Sequence, residues 1–406
     1  MRALIGHCCD PLIVTDWRRR HTQCMQSFMP SASLRHCGFS GHLVAQEGSR
    51  RGGERGSRRI GVLNPHVMTV TGPIDPATLG PTLMHEHLLC DLTPRTLRGS
   101  GRSEVEIDLA NAFAVAYRPN DHFGNQRLQD LDIAIREAAI FKAAGGGAIV
   151  EMTIAGIAPD TEGLAAIAHA TGVHVIAGSG FYTEGYQDEA TLALSVEAMT
   201  ETIVAELREG LHGTAIRAGI IGEIGCSWPM TPFERRSLQA GARAQRATGA
   251  TITVHPGRHP QAPHEILDVL EAEGADLSRV IIDHMDRTYE TDDAAVLALA
   301  RRGCVVEYDF FGIETSQYWM GVADLPNDWM RIRAIRKLFE AGLGAQVAIS
   351  HDICTRSRLA SFGGHGYAHL VTNGVQLMRD RGFSQAEIDL MLVDTPRRLL
   401  TIAGAA

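Results

Sequence analysis

The stretch Pro81-Thr82-Leu83-Met84-His85-Glu86-His87 is a short apolar run that ends in a His-Glu-His motif. Side chains at positions i and i+2 of a β-strand point to the same side, so we expect His85 and His87 to face one way and Glu86 the other. Two imidazoles held close together on a strand suit a transition metal such as zinc. A lone His-x-His pair is weak evidence, so this interpretation depends on later residues that could complete the site.

Four later apolar runs each end in, or contain near their end, a potential metal ligand. The ligands at these runs are Glu223, His255, His284 and the last residue of Ser350-His351-Asp352. Helical stretches separate the runs, which predicts βα units and a parallel sheet. Eight such units predict an α/β fold, a (β/α)8 TIM barrel, in which the C-terminal strand ends meet on the face where active sites lie. The predicted strands cover about 82–89, 148–153, 173–179, 216–224, 250–255, 280–284, 303–310 and 346–352.

Six residues therefore form a candidate metal site at the strand ends: His85, His87, Glu223, His255, His284 and Asp352. The alternative is a set of unrelated polar residues, because the chain from Met68 onward has 13 histidines and some coincidence is expected. Four histidines and two acids at successive strand ends, in the order of a barrel, are much harder to obtain by chance. The pattern therefore favours a metal site.

Residues 1–67 differ from the rest of the 406-residue chain. They hold ten arginines, no lysine and four acids, for a net charge of +6 with histidine neutral, whereas the whole chain is −9. No helix or strand period is sustained there, so we expect disorder. Three interpretations remain open: a flexible tail, a weak nucleic-acid or targeting arm, or upstream translation before a true start at Met68. The first and third are favoured, and residues 68–406 are predicted to form the barrel.

Composition and cysteine usage limit the class of protein. No apolar run approaches the roughly 18 residues that a membrane span requires, and the triplet Arg18-Arg19-Arg20 is not followed by the apolar segment of a signal peptide. The later cysteines form no C-x-x-C pair. We therefore predict a cytoplasmic protein. The region after residue 67 is acidic, so nucleic-acid binding is not expected.

From about Met68 to its end, the chain resembles the phosphotriesterase family of the amidohydrolase superfamily, and within it the phosphotriesterase-related proteins. The resemblance is spread along the whole predicted barrel. The matching stretches are residues 82–88 (TLMHEHL), 219–229 (GIIGEIGCSWP), 255–258 (HPGR), 307–312 (EYDFFG) and 363–367 (GGHGY).

The resemblance implies a binuclear metal site. His85, His87 and Asp352 would hold the more buried metal, and His255 with His284 the more exposed one. Zinc is the expected metal, and manganese or cobalt would also suit these ligands.

A carboxylate is expected to bridge the two metals. Many phosphotriesterases use a carboxylated lysine for this purpose, but the only lysines here, Lys142 and Lys337, lie in predicted helices. Glu223 is therefore the expected bridge, as in the phosphotriesterase-related branch.

The implied activity is hydrolysis by a metal-bridging hydroxide, with Asp352 accepting a proton and passing it to the leaving group. The expected substrate is a small anionic N-acyl amide, such as an N-acyl amino acid or an N-acetyltaurine-like compound. The candidate substrate-binding residues are Arg258, Arg287, Tyr308, Tyr182 and Trp228. Each has a structural alternative; an arginine at such a position can equally be solvated or pin a loop.

Two other functions are kept as alternatives: a lactonase or phosphoric-ester hydrolase, and a non-catalytic metal-binding protein. Lactonase-like relatives often have an arginine after the residue that matches Asp309, whereas Phe310 and Phe311 follow it here. This departure weighs against a lactonase. The complete ligand set weighs against a non-catalytic protein. The resemblance also suggests a homodimer.

Overall fold

The computed structural model describes residues 65–97, 106–315, 318, 320 and 324–403. The disorder predicted for residues 1–67 lies outside this part of the chain, except for residues 65–67. Those three residues lead into the first strand, which begins at His66, two positions before the predicted domain boundary.

Eight parallel strands form one sheet, which confirms the predicted (β/α)8 architecture. Each strand pairs with the next along the chain. Strands are numbered along the whole chain, and four short strands outside this sheet (β1, β2, β4 and β5, described below) precede its second member. The eight strands are β3 (Thr82–Glu86), β6 (Ala148–Glu151), β7 (His174–Ser179), β8 (Ile220–Gly225), β9 (Ile252–His255), β10 (Val280–Ile282), β11 (Val305–Tyr308) and β12 (Val347–Ile349).

Backbone hydrogen bonds beyond the end of β12 join the last strand to the first. Asp352 N–H donates to the carbonyl of His85 at 3.1 Å, and His87 N–H donates to the carbonyl of Ile353 at 3.3 Å. The closure of the barrel therefore lies at the strand ends that hold the predicted site.

Helices follow the strands and pack outside the barrel. They are α1 (Ala112–Tyr117), α2 (Leu131–Ala143), α3 (Thr161–Thr171), α4 (Glu189–Leu192), α5 (Val196–Arg208), α6 (Pro232–Thr248), α7 (Ala262–Ala272), α8 (Met285–Thr288), α9 (Asp293–Ala300), α10 (Asp328–Glu340), α11 (Val375–Asp380), α12 (Gln385–Asp389) and α13 (Thr395–Leu400), with π-helical turns at Leu370–Gly374 and Leu390–Asp394. The start of α6 shows a capping box, in which Thr231 and Glu234 bond reciprocally to each other's backbone N–H groups.

The apolar core has two layers, as strand alternation requires. One layer fills the barrel interior and includes Met84, Val150, Ile176 and Ile281. The second lies between the strands and the helices. Together the layers make the barrel a packed scaffold that holds the strand ends in fixed positions.

A small antiparallel sheet covers the N-terminal end of the barrel. It consists of β1 (His66–Thr69), β2 (Gly72–Ile74) and β13 (Thr401–Ile402), and Val67 and Leu399 join the interior layer. The remaining pair, β4 (Cys90–Asp91) with β5 (Arg127–Leu128), lies in the long connection after β3. Among the described residues, no helix combines the length and apolar character that crossing a membrane requires.

Candidate metal centre and active-site pocket

Glu223 reaches the site because β8 is irregular just before it. The register between β8 and β9 shifts between Ile221 and Ile224, as at a β-bulge, which re-aims a side chain. Gly222 has a φ of +113°, and a Cβ added there would lie 2.2 Å from the carbonyl oxygen of Thr253. Only glycine fits both the backbone angle and the close approach of β9.

The structure brings all six predicted ligands together, with Glu223 between two groups of histidines. Its Oε1 lies 3.2 Å from His87 Nε2 and 3.6 Å from His85 Nε2. Its Oε2 lies 3.0 Å from His255 Nδ1 and 3.6 Å from His284 Nε2. The two oxygens of one carboxylate therefore face two different ligand groups.

Asp352 completes the first group. Its Oδ1 lies 3.4 Å from His87 Nε2 and 3.8 Å from His85 Nε2. Asp352 has a φ of 49°, and His284 in the second group has a φ of 59°. Non-glycine residues seldom adopt this left-handed conformation, and where they do it is often at a functional site.

The donor set fits a pair of divalent metal ions. Imidazole nitrogens and carboxylate oxygens are the ligands that zinc and similar ions prefer. Among the described residues, four groups of histidines and acids have ligand atoms within 4.8 Å of one another, and two of these groups contain only predicted ligands: His85, His87 and Asp352, and Glu223, His255 and His284. His85 is fully buried, yet both of its ring nitrogens make no hydrogen bond to any described residue. A buried polar atom of this kind calls for a partner.

The ionisation of the site follows from its crowded histidines and acids. Burial by itself would raise the pKa of Glu223, but His85, His255 and His284 outweigh it and hold that pKa well below its usual range. For His87, a base, burial acts in the opposite direction and would lower the pKa, but hydrogen bonding to Asp352 and Glu223 raises it to about 9. Protons and metal ions therefore compete for the same ring nitrogen.

Residues around the ligands fix the orientation of the rings. Asp309 Oδ1 lies 2.9 Å from His284 Nδ1, and Asp309 Oδ2 accepts from the His284 backbone N–H at 3.0 Å. Thr153 Oγ1 lies 3.0 Å from His87 Nδ1. Such contacts leave the opposite ring nitrogens facing the centre of the site.

Glu86 and His351 point away from this centre, as their strand positions predict. The Glu86 carboxylate lies 2.6 Å from His351 Nδ1, and both residues are fully buried. The other ring nitrogen of His351, Nε2, accepts from the Leu370 backbone N–H at 3.0 Å, so His351 is a packed residue outside both ligand groups.

A pocket of about 380 Å³ opens over the ligands. On the side of the connection after β3, its lining is largely apolar and includes Leu92, Pro94, Leu97 and Phe123. Three arginines belong to its described lining: Arg258, Arg287 and Arg358. The pocket therefore combines a cationic wall with an apolar one.

Three of the five expected substrate-binding residues line this pocket: Tyr182, Arg258 and Arg287. Trp228 is outside its described lining and stacks on His259, with 38% of its surface exposed. Tyr308 is 2% exposed and packs in the layer between strands and helices. The alternation of β11 explains this position, because the neighbouring side chains of Glu307 and Asp309 turn inward toward His85. This geometry corrects the expectation that Tyr308 reaches the pocket.

Sequence reasoning missed Arg358 and the contact between Asp309 and His284. Arg358 donates through Nη1 to the carbonyl of Asp352, and the same nitrogen lies 3.8 Å from Asp352 Oδ2. Arg358 is separated from Asp352 by an irregular loop, and no pattern distinguishes it from Arg356. Asp309 could have been found, because it directly follows a strand at the same edge as the ligands.

Comparison with known proteins agrees with this architecture. A model of the phosphotriesterase family matches residues 65–400. The N-acetyltaurine hydrolase of Homo sapiens is 42% identical over 345 residues, which cover 84% of this chain and 99% of that protein. Among solved structures, a resiniferatoxin-binding protein from Rhodobacter sphaeroides has a TM-score of 0.77 and 36% identity, covering 82% of this chain and 94% of that one. The phosphotriesterase homology protein from Escherichia coli, complexed with phosphate in its active site, has a TM-score of 0.67 and 29% identity. The match covers 80% of this chain and 100% of that one.

Proposed function

The chain belongs to the phosphotriesterase family of hydrolases, and from that premise we propose that it uses two divalent metal ions, with zinc favoured, to cleave a small anionic N-acyl amide. The reaction adds water across the amide bond. It releases a carboxylate from the acyl side and an amine from the other side.

The observation that supports this proposal most directly is the position of Glu223. Its Oε1 faces His87 at 3.2 Å, and its Oε2 faces His255 at 3.0 Å. A carboxylate placed in this way can bridge two ions, one in each ligand group. No lysine is available for the role, because Lys142 lies in α2 and Lys337 in α10.

Bound at these ligands, divalent metals would lower the pKa of water to near neutrality and polarise the substrate carbonyl. Asp352 is the group that we assign to proton transfer. Burial would raise the pKa of Asp352, but His87, His85, His284 and Arg358 lower it below its usual range. Its carboxylate would therefore be ionised and able to accept a proton, which it would then return to the departing amine nitrogen.

The charge of the pocket supports an anionic substrate. Arg258, Arg287 and Arg358 line it, and guanidinium groups pair well with carboxylate, sulfonate and phosphate. The human relative is an N-acetyltaurine hydrolase, and the related E. coli protein holds phosphate in its active site. Both observations support an anionic ligand for this chain, and the first supports an N-acyl amide.

Hydrolysis of a lactone or of a phosphoric ester is the second candidate, because the same ligands serve all three reactions. At the position where lactonase-like relatives often have arginine, Phe310 lines this pocket, and its ring centroid lies 5.5 Å from that of His284. An apolar ring offers no hydrogen bond to a lactone oxygen. This feature favours the amide over the lactone.

Metal content and hydrolysis rates, measured on one purified sample, test the proposal. We expect about two metals per chain, cleavage of N-acetyltaurine and N-acyl amino acids, and loss of both metal and activity in Glu223→Ala. Glu340→Gln, at an exposed helix end, is the matched control. Cleavage of lactones or paraoxon alone would support the second candidate. Less than one metal after reconstitution would contradict the proposed ligand set.

A further inference from the structure

Arg287 is a buried cation at the floor of the pocket. It follows His284 in α8, is 4% exposed, and lines the pocket beside His255. Its Nη2 donates to the carbonyl of Pro256 at 2.9 Å and lies 3.1 Å from His255 Nε2. Its Nη1 is also buried but makes no hydrogen bond to any described residue. A buried guanidinium nitrogen left without a partner is costly, so this one calls for an acceptor.

The charge of Arg287 is likewise unbalanced by its surroundings. Within the described ranges, no carboxylate lies at ion-pair distance from its guanidinium, whereas the buried Arg331 pairs with Asp286 and Asp328. A buried charge normally has a partner of opposite sign. Nη1 of Arg287 is therefore suited to bind an anion, and no described residue supplies one.

The other two arginines of the pocket are placed differently. Arg258 is exposed at the mouth, where its Nε donates to Tyr318 Oη at 2.8 Å and its Nη2 to Met320 Sδ at 3.2 Å. Arg358 donates to the Asp352 carbonyl. Arg358 is buried as well, but its Nη1 lies 3.8 Å from the carboxylate oxygen Oδ2 of Asp352. Of these two buried arginines, Arg287 is the one without a carboxylate at ion-pair distance among the described residues.

We infer that Nη1 of Arg287 binds the anionic group of the substrate, and that its position selects substrates in which one or two carbons separate that anion from the scissile amide nitrogen. This inference rests on the proposed function. It defines the substrate class more narrowly: N-acyl derivatives of α- and β-amino acids and of aminoethanesulfonate. Amides with a longer spacer, or without an anion, are disfavoured.

The spacing follows from His255. Its Nδ1 faces Glu223 at 3.0 Å and would bind metal, while the opposite side of the same ring, Nε2, lies 3.1 Å from Arg287. The anion receptor is thus about one imidazole ring away from the atoms that hold the metals. A substrate whose carbonyl lies at the metals can reach Arg287 through a short spacer only. A longer spacer would have to fold back in a pocket of about 380 Å³.

The test compares substrates that differ only in the spacer or the charge. The series is N-acetylglycine, N-acetyl-β-alanine, N-acetyltaurine, N-acetyl-γ-aminobutyrate and the uncharged N-acetylethanolamine. Wild-type enzyme should show higher kcat/KM for the first three. Arg287→Met should reduce kcat/KM for these three by on the order of 10- to 100-fold, mainly through KM, because a charge-assisted hydrogen bond is lost. Arg287→Met should change kcat/KM for N-acetylethanolamine by less than about threefold and leave the metal content unchanged. The surface control Arg302→Met should change kcat/KM by less than about threefold for every substrate of the series and also leave the metal content unchanged.

An equal loss on charged and uncharged amides would overturn the inference, because it would mean that Arg287 only supports His255. Wild-type preference for the γ-aminobutyrate derivative would overturn the spacing rule. Binding of ethanesulfonate to the metal-loaded protein, measured by calorimetry, separates this inference from the proposed function. The inference is supported if ethanesulfonate binds to wild type and binds at least tenfold more weakly to Arg287→Met, even if no amide is hydrolysed. If the methionine variant does not fold, Arg287→Lys takes its place in this comparison. Equal binding to wild type and variant overturns it.

Discussion

The backbone N–H of Asp352 donates a hydrogen bond to the carbonyl oxygen of His85 across 3.1 Å. Asp352 follows the last strand of the barrel, and His85 is the penultimate residue of the first strand. Both are proposed metal ligands. The bond that closes the barrel therefore also sets the spacing of two ligands in the same group. Changes that loosen this closure should lower the stability of the fold and the affinity for metal together.

Glu86 offers the most direct way to loosen the closure. Its buried carboxylate accepts hydrogen bonds from Ser350 Oγ at 2.8 Å, the His351 backbone at 3.0 Å and the Ile353 backbone at 2.9 Å. Glu86→Ala removes all of these acceptors and leaves buried donors unpaired. We expect it to lower the free energy of unfolding by about 3–5 kcal/mol, measured by chemical denaturation.

The control for Glu86→Ala is Glu340→Gln, because Glu340 is exposed. That substitution should change the free energy of unfolding by less than about 0.5 kcal/mol. If Glu86→Ala and the control unfolded at the same denaturant concentration, the carboxylate would not be holding the first and last strands together.

Asp309 should tune the second ligand group without being a ligand itself. Its two oxygens hold the ring and the backbone of His284. Asp309→Asn should weaken metal binding about 10- to 100-fold, because the His284 ring loses its charged orienting partner. Competition with a chelator measures this affinity. Asp268→Asn, at an exposed surface ion pair, is the control, and an equal affinity in both variants would exclude the orienting role.

The positions of the proposed ligands could be predicted from the sequence because each lies at or just after the end of an apolar run, and because strand side chains alternate with a period of two. The ends of the strands were less predictable. The predicted strands 280–284 and 346–352 stop at Ile282 and Ile349. His284 and Asp352 leave the strand conformation with φ values of 59° and 49°, which β-branched patterns in the sequence do not reveal.

The pocket wall was the least predictable part of the site. Arg358 and Leu97 reach it from irregular connections, and their approach depends on how distant loops pack. Tyr308 shows the opposite case. It lies between Glu307 and Asp309, so alternation alone could have placed it on the outer face of β11 once the register of that strand was known.

Gly222 should be required for the position of Glu223. In Gly222→Ala, the new Cβ would lie 2.2 Å from the Thr253 carbonyl oxygen, at a φ of +113°. Backbone atoms cannot move aside cheaply, so β8 and β9 must separate. We expect loss of metal binding and a fall in the free energy of unfolding of more than about 3 kcal/mol.

Gly249 provides a matched control, since it also has a positive φ, of +74°, but nothing lies within 4 Å of its added Cβ. Gly249→Ala should cost about 1 kcal/mol and leave the metal content unchanged. Calorimetric unfolding and metal analysis compare the two variants. Equal costs, with metal retained in both, would show that the contact with Thr253 does not position Glu223.

Glu387 should make stability depend on pH far from the metal site. Its carboxylate lies 2.6 Å from Arg336 and forms a capping box with Ser384 at the start of α12. The hydrogen bond from Arg336, followed by that from the Ser384 backbone, lowers the pKa of Glu387 from 4.5 to about 2. Because the folded-state pKa is lowered, this stabilisation is fully present above pH 4.5 and is lost as the pH falls toward 2.

Glu387→Gln keeps the capping geometry but removes the charge. With the side chain 27% exposed, solvent screening limits the expected difference to about 1 kcal/mol at pH 7. The difference in free energy of unfolding between wild type and Glu387→Gln should shrink between pH 5 and pH 3. If it stayed constant over that range, the ion pair with Arg336 would not be its source.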